Sequence, residues 1–229
     1  EDVIVIEGLQ FTNHRQAIYS SGSSNQVMVR NCIFYKNQNN GGRIDGIAIM
    51  AYSEMIIEGC KFIENGGVGN GGAVGGDSTD SPIINNSIFI NNFATGWGGA
   101  LYRVGGQVSN CTFVGNTTVE LGDDIAITGN IKNCIFWDMR APLVHATPTY
   151  SIVQLGVEGS TNIDSDPLFV DLANGDHRLS AGSPAIDAGD PTSPKDPDGT
   201  RADIGAYYYN SSSPQKGAIL TVNVPEVVF

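Results

Sequence analysis

A six-residue phrase that recurs along the chain constrains the fold more than any other feature. Val29-Arg-Asn-Cys-Ile-Phe34 is followed three residues later by Asn37, and the same pattern returns as Ile57-Glu-Gly-Cys-Lys-Phe62 with Asn65. It returns again as Ile84-Asn-Asn-Ser-Ile-Phe89 with Asn92, and as Val108-Ser-Asn-Cys-Thr-Phe113 with Asn116. Frayed copies flank these, Ile6 to Phe11 with His14 and Ile131 to Phe136 with Met139. The steps between the phenylalanines are 23, 28, 27, 24 and 23 residues. Imperfect copies at a period of 20–50 residues indicate a solenoid, because one repeat cannot bury its own apolar face and must stack on its neighbours.

Each copy reads as two short strands meeting at a bend. The residue five before the Phe is always Ile or Val, and the residue three before is always Gly or Asn. Those two tolerate a left-handed backbone. The residue two before is Leu, Cys, Cys, Ser, Cys, Cys, and lying two positions from the Phe it points the same way, into the coil. Successive coils about 4.8 Å apart would bring Asn37, Asn65, Asn92 and Asn116 into an amide ladder. A third strand shares one register in Ala17-Ile-Tyr19, Ala48-Ile-Met50, Ala73-Val-Gly75, Ala100-Leu-Tyr102 and Ala126-Ile-Thr128. Its expected inward column is Ile18, Ile49, Val74, Leu101 and Ile127. The expectation is an all-β chain: a right-handed parallel β-helix of three strands per coil and about six coils over residues 1–147. A loop-rich C-terminal capping module of the same domain follows at 148–210, then a linker and apolar strand at 211–229. Right-handedness follows the rule for parallel crossovers.

The cysteines Cys32, Cys60, Cys111 and Cys134 share one inward column, with Ser87 in the missing place. Residues stacked one strand spacing apart hold their Cβ atoms farther apart than a disulfide favours, so the column reads as small buried thiols packing the core. Pairs Cys32–Cys60 and Cys111–Cys134 are the alternative. The formal charge of −12 argues against nucleic acid or an anionic lipid surface as partner. No run of 18 apolar residues exists to form a membrane-spanning segment. The chain opens at Glu1-Asp-Val-Ile-Val-Ile6 already inside a coil, so either it continues a longer solenoid or another subunit covers that end.

Three groups of side chains carry candidate chemistry. Leu121-Gly-Asp-Asp-Ile-Ala-Ile127 resembles the Gly-Asp-Asp element of polygalacturonase-type glycoside hydrolases, which makes Asp123 and Asp124 weak catalytic candidates. An inverting hydrolase needs two carboxyls roughly 6.5–9.5 Å apart, and Asp45, in the same column as Asp123, lies three coils away. The companion Asn-Thr-Asp, Gly-His-Gly and Arg-Ile-Lys elements are missing. Tyr19, Met50 and Tyr102 alternate with the inward column and are expected on the outer face, where such side chains can stack on sugars. In the C-terminal region Asp187, Asp190, Asp196, Asp198 and Asp203 are dense enough to suggest Ca²⁺ as a cofactor. Asp196-x-Asp-Gly is only a fragment of a calcium loop. The alternative is that these aspartates pair with Arg178 and Arg201 or cap turns.

The elements Asp166-Pro-Leu-Phe169, Gly182-Ser-Pro-Ala-Ile-Asp187 and Asp203-Ile-Gly-Ala-Tyr207 together resemble the C-terminal region of choice-of-anchor Q domain proteins. These are exported β-helix proteins of the pectin-lyase-like kind. The resemblance covers roughly residues 98–209 and departs at Tyr208, where a Glu is usual. It implies an exported protein, extracellular or at the cell surface, and brings no catalytic residues. The tail strand carries Val222, Val224, Val227 and Phe229, and is expected to start a further domain, to pack on this one, or to assemble copies of the chain by strand addition. The function expected is a structural or adhesive surface module whose partners are its own copies or surface glycans. A polysaccharide-degrading enzyme is the alternative.

Overall fold

The fold is given by a computed structural model, which describes residues 3–21, 26–52, 54–77, 82–120, 125–127, 129–140, 143, 146–157 and 161–211. Sheet I contains the strands that begin each sequence repeat: Val3–Glu7, Gln26–Arg30, Met55–Glu58, Ile83–Asn85, Val108–Ser109 and Ile131–Lys132. Sheet II holds the Phe strands Gln10–Thr12, Ile33–Tyr35, Lys61–Ile63, Ile88–Ile90, Thr112–Val114 and Ile135–Trp137, and continues to Ile152–Val153. All pairs within both sheets are parallel and one coil apart. The chain is a parallel β-helix.

The bend between sheets I and II is made by Gly8, Asn31, Gly59, Asn86, Asn110 and Asn133, all at φ between 49° and 67°. The sequence places Gly or Asn there because the left-handed conformation costs other residues about 1–2 kcal/mol. A second left-handed corner follows each Phe by two residues, at Asn13, Lys36, Glu64, Asn91, Gly115 and Asp138. Lys36 and Glu64 are unusual choices for it, and stacking pairs their charges at 3.4 Å.

Inside the coil, like stacks on like. Phe11, Phe34, Phe62, Phe89, Phe113 and Phe136 form one column with ring centroids 4.7–4.9 Å apart and planes within 9° of parallel. Val153 extends the column by register. Behind it run the thiols, all four buried and unpaired. The sulfurs of Cys32, Cys60, Cys111 and Cys134 each bond the carbonyl two residues back, at 3.2–3.4 Å. Ser87 makes the same bond at 2.8 Å, so a hydroxyl replaces a thiol without changing the coil. Burial pushes the Cys60 thiol up to about 12, which keeps it protonated and inert.

Two expectations change. Four strands form each full coil rather than three. Sheet III, made of Gln38–Asp45, Gly66–Asn70, Phe93–Ala94 and Thr117–Thr118, lies between sheet II and the predicted third strand. That third strand forms sheet IV, with Ile18–Ser20, Ile49–Ala51, Val74–Gly75, Leu101–Tyr102 and Ile125–Ala126. Its inward column ends on Ile125, because Leu101 pairs with Ile125 and Tyr102 with Ala126. Ile127, the residue expected in the column, is buried two positions farther along.

The C-terminal residues also lie elsewhere than across the last coil. An antiparallel pair, Phe169–Asp171 with Asp176–Leu179, opens the region. Leu179, Ala185 and Ile204 then pack with Ile135 and Ile152, which face outward from sheet II. The module therefore lies along the flank of the coil. Corner residue Asn133 recruits it, accepting from the Asp190 amide at 2.6 Å through its side chain and from the Gly205 amide at 2.9 Å through its carbonyl. Gly205 sits at φ 108°, and a Cβ there would come within 2.7 Å of Ile135 Cδ1. Leu179 is buried in this seam and Phe169 and Ile186 pack beside it, while Leu168 is exposed. The end of the main core is instead met by Leu143, Ala146 and Val157.

Candidate functional site

The Asn residues that follow each Phe lie inside the coil, at the entry to sheet III. Asn37, Asn65 and Asn92 each donate a side-chain N–H to the side-chain oxygen of the next, ending on Asn116, at 2.9 Å per step. The second N–H of Asn65 and Asn92 reaches back to the carbonyl of the Phe one coil before, at 2.9 Å. Each receiving oxygen also accepts the backbone amide of the previous Asn at 2.9–3.1 Å. With both amide ends used and exposures of 0–1%, the ladder is structural and presents nothing to a ligand. Asn116 begins an Asn-x-Thr sequon, but its buried side chain is unavailable to a glycan.

The outer face of sheet IV offers accessible chemistry. Tyr19, Met50, Gly75, Tyr102 and Ala126 stand in register on it. Tyr19 is 60% exposed. Met50 is buried, contrary to expectation, because its cross-strand neighbour Gly75 has no side chain. A Cβ on Gly75 would meet the Met50 sulfur at 2.8 Å, so the thioether lies against glycine rather than pointing to solvent. Tyr102 is half-buried with the Arg103 guanidinium 5.2 Å from its ring centre. Tyr52, which the alternation did not mark, is the second exposed ring. It lies just past its strand and packs edge-on to Tyr19, with centroids 5.8 Å apart and planes at 63°. Asp45, Asp77 and Arg103 are within electrostatic reach of Tyr52, whose hydroxyl pKa is raised by burial first and then by Asp45.

Asp45 belongs to the corner between sheets III and IV. Asn70, one coil on, donates to its carboxylate at 2.6 Å. Asn70 in turn accepts from Arg43 at 2.9 Å and from the Trp97 amide at 2.8 Å. Asp45, Asn70 and Trp97, on successive coils, thus form a hydrogen-bonded corner. Asp123 and Asp124, the weak catalytic candidates, lie outside the described residues, as do Val222, Val224, Val227 and Phe229.

The five C-terminal aspartates do not converge on one point. Asp203 accepts the amides of Asp187 and Tyr209 at 2.7 and 2.6 Å, and Asp196 accepts that of Asp203 at 2.8 Å. Asp198 binds the amide and hydroxyl of Thr200, and Asp190 does the same for Thr192. Asp190 also pairs with Lys132 at 3.2 Å. Among the described residues no three His, Cys, Asp or Glu side chains are grouped to hold a metal. The expected arginine pairing differs too: Arg178 pairs with Asp176, and Arg201 donates to the carbonyls of Gly189 and Ala188.

One of these carboxyls makes the module pH-sensitive. Burial, then repulsion from Asp203, Asp198 and Asp187, raises Asp196 from 3.8 to about 6, and burial raises Asp203 in the same direction. Between those values the folded chain holds a proton that the unfolded chain lacks, so stability falls as pH rises through the window. Aspartates with lowered values, Asp176, Asp190 and Asp198, act oppositely but only at more acidic pH. His177, its pKa lowered by burial, acts oppositely within the same window, so the Asp196 share is read as a difference between two proteins. In denaturant unfolding followed by the fluorescence of Trp137, which packs against the module, the wild type should lose stability relative to Asp196→Asn between pH 5 and pH 7; a constant gap would assign the pH dependence to other groups.

The family described as right handed beta helix region matches residues 1–141. No curated protein matches the chain.

Proposed function

Because the chain belongs to the right-handed β-helix family, we propose that it is a non-catalytic structural and adhesive module that holds a glycan on the outer face of sheet IV. The observation that carries this reading is the exposed Tyr19–Tyr52 ring pair on adjacent coils of a rigid stack. Tyrosine rings present a flat apolar face together with a polar hydroxyl, which suits the C–H faces and hydroxyls of sugars. The coil beneath is immobilised by the Phe and Asn columns, so little ordering entropy opposes binding. An extracellular or cell-surface location fits this role, and the four buried free thiols suit a coil that needs no disulfide.

The test is sedimentation of the full chain with a panel of insoluble polysaccharides, together with an assay for new reducing ends. Retention without release of reducing ends is expected. The double variant Tyr19→Ala/Tyr52→Ala should bind about tenfold more weakly, the loss of two stacking contacts. Steady release of reducing ends by the wild type would make the chain a polysaccharide-degrading enzyme instead. Equal retention of the variant would move the binding surface elsewhere.

A further inference from the structure

The geometry points to a single chain of uncharged sugars as the ligand of this face, one sugar lying on one tyrosine ring with the edge of the other ring beside it. This rests on the glycan-binding reading and adds the chemical class. Two rings inclined at 63° with centroids 5.8 Å apart cannot both lie flat against one plane. They form a notch in which one ring is floor and the other wall. The sheet beyond them in register is Met50 laid against Gly75, both buried, so among the described residues no fully exposed ring continues a flat platform there. A notch admits a separate polymer chain and does not match the flat face of a crystalline polysaccharide.

Charge decides the sugar. Asp45 and Asp77 lie within electrostatic reach of Tyr52, as does Arg103, whose guanidinium is 5.2 Å from the centre of the Tyr102 ring. The chain as a whole carries −12. A carboxylate accepts hydrogen bonds and donates none, so it pairs with the hydroxyls that a neutral sugar offers and repels the carboxylate or sulfate of an acidic one. The acidic neighbours therefore favour hydroxyl-rich neutral polymers and oppose uronates.

Affinity electrophoresis of the full chain in gels containing soluble neutral glucan, polygalacturonate or chitosan reads this directly, with microcrystalline cellulose as a pull-down arm. Retardation is expected in at least one neutral polymer, with Tyr19→Ala and Tyr52→Ala each weakening it about threefold to tenfold. Little is expected in polygalacturonate or on cellulose. Polygalacturonate retardation should grow as salt screens the repulsion, the reverse of a basic site, since the screening length falls to about 8 Å at 0.15 M. Asp77→Asn should increase it at low salt. Polygalacturonate or chitosan retarding the wild type more than every neutral polymer, in a tyrosine-dependent way, overturns the inference on charge while leaving the glycan reading. Strong tyrosine-dependent capture by cellulose overturns the single-chain geometry. Migration of the wild type and both tyrosine variants that is identical in every gel overturns the glycan reading itself.

Discussion

Phe62→Ala should lower the unfolding free energy by about 3–5 kcal/mol, the usual cost of removing a fully buried aromatic ring. Phe62 has no exposed surface and stacks at 4.8 Å on both Phe34 and Phe89, so the cavity has ring faces above and below that cannot collapse together without moving two coils. In a solenoid, stability is a sum of repeat and nearest-neighbour terms, and the deletion removes two interfaces at once. The coils on either side should uncouple. Denaturant unfolding followed by circular dichroism should show a lower midpoint and a shallower or split transition. Phe11→Ala is the control, since that ring is only partly buried and stacks on one neighbour, Phe34. Its cost should be less than half as large. Equal effects at the two positions would show that the stack does not distribute stability as nearest-neighbour contacts require.

Asn65→Ala should be nearly as damaging for a different reason. The side chain donates to Asn92 and to the Phe34 carbonyl and accepts from both the amide and the side chain of Asn37. Truncation leaves buried donors and acceptors without partners, at about 1–3 kcal/mol for each group left unsatisfied. A total loss of about 3 kcal/mol or more is expected by denaturant titration. Asn65→Asp separates hydrogen bonding from packing. At neutral pH it sets a buried carboxylate against the Asn92 oxygen and the Phe34 carbonyl, both acceptors. A protonated acid restores one of the two donor bonds. The Asp variant should thus be the less stable of the two at neutral pH and gain relative to Ala on acidification. No such crossover would mean that the position is solvated rather than dry.

Much of the coil was legible in the sequence because its interior repeats chemistry at a fixed place. A Phe, a small residue two before it and an Asn three after it mark the columns, and the Gly-or-Asn rule at Asn31 or Gly59 marks a corner only those residues enter cheaply. Sheet III was not legible. Gln38–Asp45 and Gly66–Asn70 are polar or glycine-rich and lack the alternation that announces a strand; they are extended because the Asn ladder and neighbouring coils hold them so. The second corner was hidden by its variety, Lys36 and Glu64 being poor markers of a left-handed backbone. Met50 followed the alternation faithfully yet is buried, since burial on that face depends on Gly75 one coil away. Tyr52 escaped notice because it lies one residue past the shared register. The flank position of the C-terminal module was equally invisible: nothing near Ile135 in sequence says what covers its outer face.

The direction in which the hydrogen bonds run has a mechanical consequence. Every pair in sheets I to IV is parallel and joins one coil to the next, so the backbone bonds lie along the helix axis rather than across it. A tensile load applied along that axis pulls on these bonds end-on, in series, with the stacked rings between them. Such a rod resists bending and sideways crushing, where all four walls share the load, but yields to stretching by shedding its outermost coil first. Each coil released pays out about 80–95 Å of slack, at roughly 3.4 Å per extended residue. Placed under load, a rod of this kind would stay stiff at rest and lengthen by discrete steps under strain, dissipating work as each coil is released.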